Sequence, residues 1–245
     1  MKKLCWIVGL LLFAVPAWAG DLSVEQIRAA LASASPGRPA DFSHRSLADL
    51  DLSGVDLSGA KLVGADLSHT KLVGAKLVGA DLSGALLDFT WIMRADFSQA
   101  NLSGATLRAL VVSTGMESST AEAARFVEAN FADARITARF AFDDLHGANF
   151  SGAKMAADMR NQSMGLTRTD FASANLTGAN FSGAELGHVS FRFAKLAGAN
   201  FSGASLKGGD FSGADLTRAN FTGADTAGAI FSGATLEQTV GLETK

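Results

Sequence analysis

The sequence predicts an all-β solenoid with four faces to each coil, on two observations. The first is a five-residue period: every fifth residue is apolar at all 15 positions from Phe42 to Val112, and at 14 of 15 positions from Leu166 to Leu236. The second is an alternation of Leu and Phe at these positions in the later block. A helix repeats every 3.6 residues and a strand every two, so neither keeps a five-residue period on one side. The chain must therefore bend once in every quintet.

The residue types within each quintet explain the bend. The unit reads Ala, Asp or Asn, Leu or Phe, Ser or Thr, and Gly, as in residues 80–84 and 179–183. Gly adopts turn conformations readily, and a short Asp or Asn side chain can hydrogen-bond the turning backbone. The small Ala leaves room for the large central residue in a narrow interior. We therefore expect the Ala and the central Leu or Phe to face inward.

The alternation predicts how many quintets make a coil. Phe recurs every ten residues in the later block, so like stacks on like only if each coil has an even number of quintets. Two would leave no interior and six would leave a hole, so we predict four. Phe171, Phe191, Phe211 and Phe231 then form one column, and Phe181, Phe201 and Phe221 form the opposite one. Twenty residues per coil predict about ten coils and a rod of roughly 50 Å.

These quintets resemble the repeats of pentapeptide-repeat proteins, whose unit is written A(D/N)LXX. The resemblance rests on stretches such as Ala65-Asp66-Leu67-Ser68 and Gly178-Ala179-Asn180-Phe181-Ser182-Gly183, and it covers residues 40 to 238. It implies that the fold is a right-handed quadrilateral β-helix. The handedness follows from the resemblance and not from the spacing.

The first 19 residues are predicted to be a signal peptide. Lys2 and Lys3 precede an apolar run from Leu4 to Val15, and Ala17-Trp18-Ala19 forms a cleavage site. The run is shorter than the roughly 20 residues of a membrane span, so no transmembrane segment is expected after cleavage. Cleavage removes Cys5, the only cysteine, and both lysines, so the formal charge falls from -3 to -5. We expect a periplasmic or secreted protein.

Residues 20–39 are predicted to form an N-terminal capping helix and a linker to the repeat domain. Ser23 and Gln26 have the spacing of a capping box, and Ile27 starts an apolar face. Repeats then fill residues 40–238, and residues 239–245 form a short C-terminal tail. That end is either lightly covered or used for self-association, which leaves a homodimer through a solenoid end open.

The period slips at three places, which we expect to be bulges or loops on one continuous rod. The interruptions fall near 113–125, 137–144 and 156–165.

Catalytic and cofactor-binding residues are not predicted. The sequence lacks HExxH, GxxxxGK(S/T), GxSxG and a dinucleotide fingerprint, so we do not expect an enzyme. Asp143 and Asp144 have the pairing used in acid–base catalysis, but we interpret them as outward carboxylates at a bend. No metal site is expected either, because the four histidines are isolated in sequence: His44, His69, His146 and His188.

The segment from Lys154 to Asp170 departs most from the repeat. It contains Met155, Met159 and Met164 near His146, which suggests a soft-metal site for Cu(I) as one alternative. The preferred interpretation is that Met fills an irregular interior. The same segment is predicted to present a polar protein-contact patch, formed by Asp158, Arg160, Asn161, Gln162 and Arg168.

The resulting functional prediction is a non-enzymatic, exported scaffold of the bacterial envelope whose partner is another protein. The chain is 48% apolar and 18% charged, which argues against disorder, and its mild charge excludes a nucleic-acid partner. The resemblance implies an alternative, since some pentapeptide-repeat proteins mimic DNA and protect a type II topoisomerase from inhibitors. That role needs cytoplasmic access and a strongly acidic face, which five lysines interrupt here: Lys61, Lys71, Lys76, Lys195 and Lys207.

Overall fold

A computed structural model describes residues 22–35, 37–115, 118–156 and 168–242 of the chain. The predicted signal peptide, residues 1–19, lies outside the described residues. Within the described ranges, no helix is long and apolar enough to cross a membrane.

The described chain winds as a β-helical solenoid. Its regular elements are helix α1, Val24–Ala32, and two short strands, β1, Thr106–Arg108, and β2, Arg135–Thr137, which pair in parallel with Leu107 opposite Ile136. Elsewhere single parallel bridges join successive coils, as between Asp41 and Lys61 or Ser46 and Asp66, 20 residues apart. Apart from Val240, each residue of a parallel bridge immediately precedes the central residue of a quintet, so the bridges stack in four columns.

Each quintet bends through the groups that its sequence supplies. In the quintet 80–84, the Asp81 carboxylate accepts a hydrogen bond from the Ser83 N–H at 3.1 Å. Gly84 has φ of +66°, a conformation that favours glycine. The Ala85 N–H then donates to the Leu82 carbonyl at 3.0 Å and closes the turn. Ala80 and Leu82 of this quintet are fully buried, which confirms that the Ala and the central residue face inward.

Some quintets carry another residue at the glycine position. His44 and His188 adopt φ near 60° there, a conformation that costs an L residue about 1 kcal/mol. Each ring lies over a glycine of the next coil: a Cβ added to Gly208 would approach the His188 ring to 2.6 Å. The glycine opposite such a ring is therefore required by close contact as well as by its own φ.

Two columns of stacked phenylalanine rings run through the interior of the later coils, which confirms the predicted arrangement. Phe191 stacks on Phe211 with centroids 4.9 Å apart, and Phe201 stacks on Phe221 at the same distance. The columns meet edge to face across the interior, as where Phe201 and Phe211 lie 5.6 Å apart at 90°. Such pairs contribute about 0.5–1.5 kcal/mol each beyond the area that they bury.

One outer column carries a ladder of asparagine amides. Asn200 Nδ2 donates to Asn180 Oδ1 at 3.1 Å, and the same carbonyl oxygen accepts the Ser182 N–H at 3.1 Å. Each amide thus serves its own turn and the next coil together. The ladder ends at Asp81, which accepts from Asn101 at 3.0 Å and has no amide hydrogen to pass on. Its amides are those of Asn101, Asn130, Asn149, Asn180, Asn200 and Asn220.

The two ends of the rod differ. Helix α1 begins with a capping box in which the Gln26 side-chain Oε1 accepts the Ser23 N–H at 2.8 Å. Ile27 of this helix is fully buried in the same apolar cluster as the coils. At the other end, Phe231 and Leu236 of the last coil are only partly buried.

The bridge spacing records three slips in the repeat. Asp96 pairs with Arg125 after 29 residues, Arg125 with Asp144 after 19, and Lys154 with Glu185 after 31, where a regular coil has 20. After each slip the chain re-enters a column that already exists. The rod therefore stays continuous, with two insertions and one shortened turn.

Candidate functional site

The three slips come together on one side of the rod. Two bridges lead from Lys71 through Trp91 to Val111, and the same side continues on later coils with a bridge from Arg139 to Asp170. The first insertion leaves after Val111, the shortened turn leads into Arg139, and the second insertion returns at Asp170. We call this side, defined by Trp91, Val111, Arg139 and Asp170, the insertion face.

The first insertion is fastened at its base. The Thr114 hydroxyl donates to the Glu122 carboxylate at 2.8 Å, and the Arg94 N–H donates to the Glu122 carbonyl at 3.0 Å. The hydrogen bonds from Thr114 hold the pKa of Glu122 below its ordinary value. The insertion therefore starts and ends at a defined place on the insertion face.

A pocket of about 240 Å³ opens where the Val111 and Arg139 coils meet. In a regular pairing the Arg139 N–H would donate to the Leu110 carbonyl and the Val112 N–H to the Arg139 carbonyl. One coil earlier the corresponding bonds form, since Ile92 N–H reaches the Val111 carbonyl at 3.0 Å. Among described residues neither bond forms at Arg139. The shortened turn moves Arg139 out of register while the insertion carries Val112 away from it.

Asp143 lies behind this face, and the prediction that it points outward is wrong. It occupies the inward alanine position two residues before Leu145 and is 2% exposed. Its Oδ1 accepts the Ala124 N–H at 2.8 Å. At a regular corner that N–H bonds a carbonyl three residues back, as Ala129 does to Phe126 at 3.0 Å. The insertion removes that carbonyl from Ala124, and the Asp143 carboxyl replaces it.

The environment of Asp143 rules out the acid–base pairing with Asp144. Burial raises the pKa of Asp143 to about 8, against a smaller lowering by the Ala124 N–H, so the carboxyl is protonated at neutral pH. Its Oδ2 is buried without a hydrogen-bond partner in the described chain. Asp144 instead accepts from Asn175 Nδ2 at 2.8 Å, in the outer column. The two carboxyl groups therefore face different surroundings.

An exposed apolar corner borders the insertion face on its N-terminal side. Leu86 and Phe89 are 43% and 47% exposed. Phe89 stacks on His69 with centroids 4.9 Å apart, and Lys71 Nζ lies 5.8 Å from the Trp91 ring centroid. Aromatic and aliphatic side chains held this way are typical of protein–protein contacts. We call Leu86, Phe89 and Trp91 the apolar corner.

Sequence reasoning missed the apolar corner, although a signal was present. Leu86 and Trp91 stand where the repeat has Asp or Asn, and Phe89 stands where it has Gly. A search of the outward positions for large apolar residues would have found all three.

Only one member of the predicted polar patch falls within the described residues. Arg168 is exposed, next to the column position of Asp170. The other four lie outside the described residues: Asp158, Arg160, Asn161 and Gln162. The polar patch as a whole therefore stays a prediction.

The methionine-rich stretch is described only at its first member. Met155 is fully buried in the core, as expected for a side chain that fills an irregular interior, whereas His146 is exposed. Met159 and Met164 lie outside the described residues. Within the described part of the chain, no group of His, Cys, Asp and Glu is arranged to hold a metal ion.

Acidic and basic side chains alternate between coils on the outer columns. Lys207 Nζ lies 3.1 Å from Asp225, and Lys71 Nζ lies 3.9 Å from Asp51. Exposed pairs of this kind contribute about 0–1 kcal/mol each. Their main effect is to break up the negative charge along the rod. Other pairs join Arg125 to Asp96, Lys154 to Glu185 and Arg192 to Asp210.

Comparison with known proteins identifies the repeat. The sequence model of pentapeptide repeats matches this chain in 8 copies, over residues 40–88, 166–203, 184–223 and 199–238. No curated protein sequence matches the chain.

Several solved structures are similar to the chain. HetL of the cyanobacterium Nostoc sp. strain PCC 7120, a pentapeptide repeat protein involved in heterocyst differentiation regulation, is 26% identical; the match covers 91% of this chain and 100% of HetL, with a TM-score of 0.39. QnrB1, a plasmid-mediated fluoroquinolone resistance protein, is 18% identical over 77% of this chain and 91% of its own, with a TM-score of 0.43. A pentapeptide repeat protein from the thylakoid lumen of Arabidopsis thaliana is 22% identical over 61% and 66%, with a TM-score of 0.27.

Proposed function

The chain belongs to the pentapeptide-repeat family, and from that premise we propose that it is a non-enzymatic, exported scaffold whose insertion face binds another protein. One observation carries the proposal: the three slips of the repeat meet on one side, beside the exposed apolar corner. In repeat proteins, insertions commonly gather on the binding face. The partner contacts the apolar corner and the insertions together.

Rigidity supports this role. Parallel bridges join successive coils, as between Leu86 and Thr106 beside the apolar corner. The phenylalanine columns and the asparagine ladder reinforce the later coils, as between Phe191 and Phe211 inside and between Asn180 and Asn200 outside. A rigid surface loses little conformational entropy on binding. The rod therefore presents the apolar corner in its binding conformation before the partner arrives.

Export and the ends of the rod complete the proposal. Cleavage after Ala19 releases a chain without cysteine, whose rod has about ten coils and is closed by α1 at its N-terminal end. Cell fractionation followed by mass measurement of the mature protein tests this. A mature N-terminus at Gly20 in the envelope or the medium is expected, and an intact chain in the cytoplasm would contradict export.

Binding is tested by capture from an envelope extract with wild-type protein and the Phe89→Ser variant. Val240→Ser is the matched control, since Val240 is also an exposed apolar residue and pairs with Asn220 in the column of the asparagine ladder, on the opposite side of the rod. We expect a partner band that weakens at least tenfold for Phe89→Ser and persists for Val240→Ser. Equal capture by all three proteins, or capture of nothing, would count against the proposal.

Self-association through the C-terminal end is the second candidate. Phe231 and Leu236 are partly exposed in the last coil, where a second copy could cover them. Sedimentation of wild-type protein and a Leu236→Lys variant tests this: a dimer that the variant abolishes supports it, and a monomeric wild type contradicts it.

The topoisomerase-binding alternative is disfavoured. A surface that imitates DNA needs continuous negative charge like that of the phosphates. Here lysines alternate with the carboxylates, as Lys71 does with Asp51 and Lys207 with Asp225. A gyrase supercoiling assay that excess protein leaves unchanged would agree with this, and inhibition would revive the alternative.

A further inference from the structure

The pocket between the Val111 and Arg139 coils is not required for the scaffold role. It arises because one bridge of the solenoid is missing there, which leaves unpaired backbone groups among the described residues. The Val112 N–H and the Arg139 N–H lose their donor role in this bridge, and the Leu110 and Arg139 carbonyls lose their acceptor role. Donors fixed by the backbone of a rigid rod form a preorganised site for a small acceptor group.

The pocket walls are largely apolar, with one charged side chain. Ser113 and Thr137 add polar atoms at the edge, and Arg139 is the only charged residue of the lining. The apolar walls come from Ala109, Leu110, Val111, Val112 and Ala138. The volume of about 240 Å³ suits a small molecule or the end of a chain and not a folded segment.

Arg139 is available to a ligand. It is partly buried and forms no ion pair or side-chain hydrogen bond with any described residue. Asp170, its neighbour across the bridge, uses its carboxylate to accept the Ala172 N–H at 3.0 Å. By contrast Arg108 donates from Nε to Asp88 at 2.9 Å. A guanidinium has a strong preference for a carboxylate, with which it forms paired hydrogen bonds.

We propose that this pocket binds a carboxylate carried on a short aliphatic group. The carboxylate lies on the Arg139 guanidinium and the Val112 N–H, and the aliphatic part contacts Leu110 and Ala138. A single cation balances a monoanion, while a phosphate or sulfate dianion would leave the apolar walls uncovered. The same chemistry is offered by a free aliphatic acid and by the C-terminus of a polypeptide that ends in an apolar residue.

Calorimetric titration of the mature protein with hexanoate tests the proposal, with hexanol, hexylammonium and inorganic phosphate as comparison ligands. Hexanoate should bind with the highest affinity, and Arg139→Leu should weaken it about 10- to 100-fold, the loss expected for a hydrogen bond to a charged group. Arg218→Leu is the control, because Arg218 is on a different column of the rod. A tripeptide ending in Val-Leu, as the free acid and as the amide, separates the two sources of carboxylate.

A second variant keeps the test valid if Arg139→Leu fails to fold. Ala109 is exposed at the pocket edge with φ of 51°, and one coil earlier Phe89 occupies the same column position. Ala109→Phe should therefore fold, extend the stack of His69 and Phe89, and abolish hexanoate binding by filling the pocket. Three results would overturn the proposal: an affinity for hexanol equal to that for hexanoate, an affinity for hexanoate that neither variant changes, or no binding of any carboxylate.

Discussion

Replacing Asp143 by Asn should make the protein more stable at alkaline pH and leave it unchanged in acid. Asp143 is 2% exposed, and burial raises its pKa to about 8 from the ordinary value of 3.8. The Asn side chain still offers Oδ1 to the Ala124 N–H, which Asp143 now accepts at 2.8 Å. It never ionises, so it removes the charge and keeps the hydrogen bond.

The sign and size follow from the two pKa values of Asp143. Below about pH 4 the carboxyl is neutral in both the folded and the unfolded chain, and it costs nothing. Between pH 3.8 and about 8 the unfolded chain has released a proton that the folded chain retains, so stability falls as pH rises, by about 1.4 kcal/mol per pH unit. Above about pH 8 the full cost, about 6 kcal/mol, is reached.

Urea unfolding of the mature protein and the Asp143→Asn variant from pH 4.5 to 9 measures this. The difference in unfolding free energy should be only about 1 kcal/mol at pH 4.5 and should grow with pH in favour of the variant. Asp144→Asn is the matched control, since it makes the same substitution at the neighbouring carboxyl, which lies in the outer column with Asn175. A difference for Asp143→Asn that does not change with pH, or that grows toward acid, would refute the reasoning.

Three further substitutions test other parts of the fold by urea unfolding. Asn149→Asp places a second acceptor against Asn130 Oδ1, which now lies 2.9 Å from the Asn149 amide nitrogen, and should lower the unfolding free energy by about 1–3 kcal/mol. A loss of stability no larger than that of Asp81→Asn, at the end of the ladder, would contradict the account. Gly208→Ala brings a Cβ to 2.6 Å from the His188 ring and should destabilise the protein, and adding His188→Gly should recover part of the lost stability. Strictly additive effects of the two substitutions would show that the two residues do not interact. Phe201→Ala opens a cavity between Phe181 and Phe221 in the core and should lower the unfolding free energy by about 3–5 kcal/mol. A loss below 1 kcal/mol would mean that the stacked columns are not the source of stability.

The regular part of the rod could be predicted from the sequence because one short period decides which side chains face inward. The alternation of Phe191, Phe201 and Phe211 was enough to place opposite columns, and their ring geometry confirms it. Local bends repeat identically, so a local pattern determines the long-range stacking.

The irregular part could not be predicted in the same way. Asp143 was interpreted from its residue type as an outward carboxylate, whereas its position two residues before Leu145 is an inward alanine position. Its partner, Ala124, depends on where the first insertion rejoins the rod, which spacing alone does not determine. The asparagine ladder was missed for a related reason: the donor of Asn200 is in one coil and its acceptor, on Asn180, is in another.

Photo-crosslinking in intact cells tests the central claim most directly, that the insertion face binds a partner protein. A benzophenone amino acid replaces Phe89 in the apolar corner in one strain, and Thr222, exposed beside the asparagine ladder on the opposite side, in another. A discrete crosslinked product at position 89, absent at position 222, is the predicted result. Equal crosslinking at both positions, or a product at 222 alone, would contradict the claim.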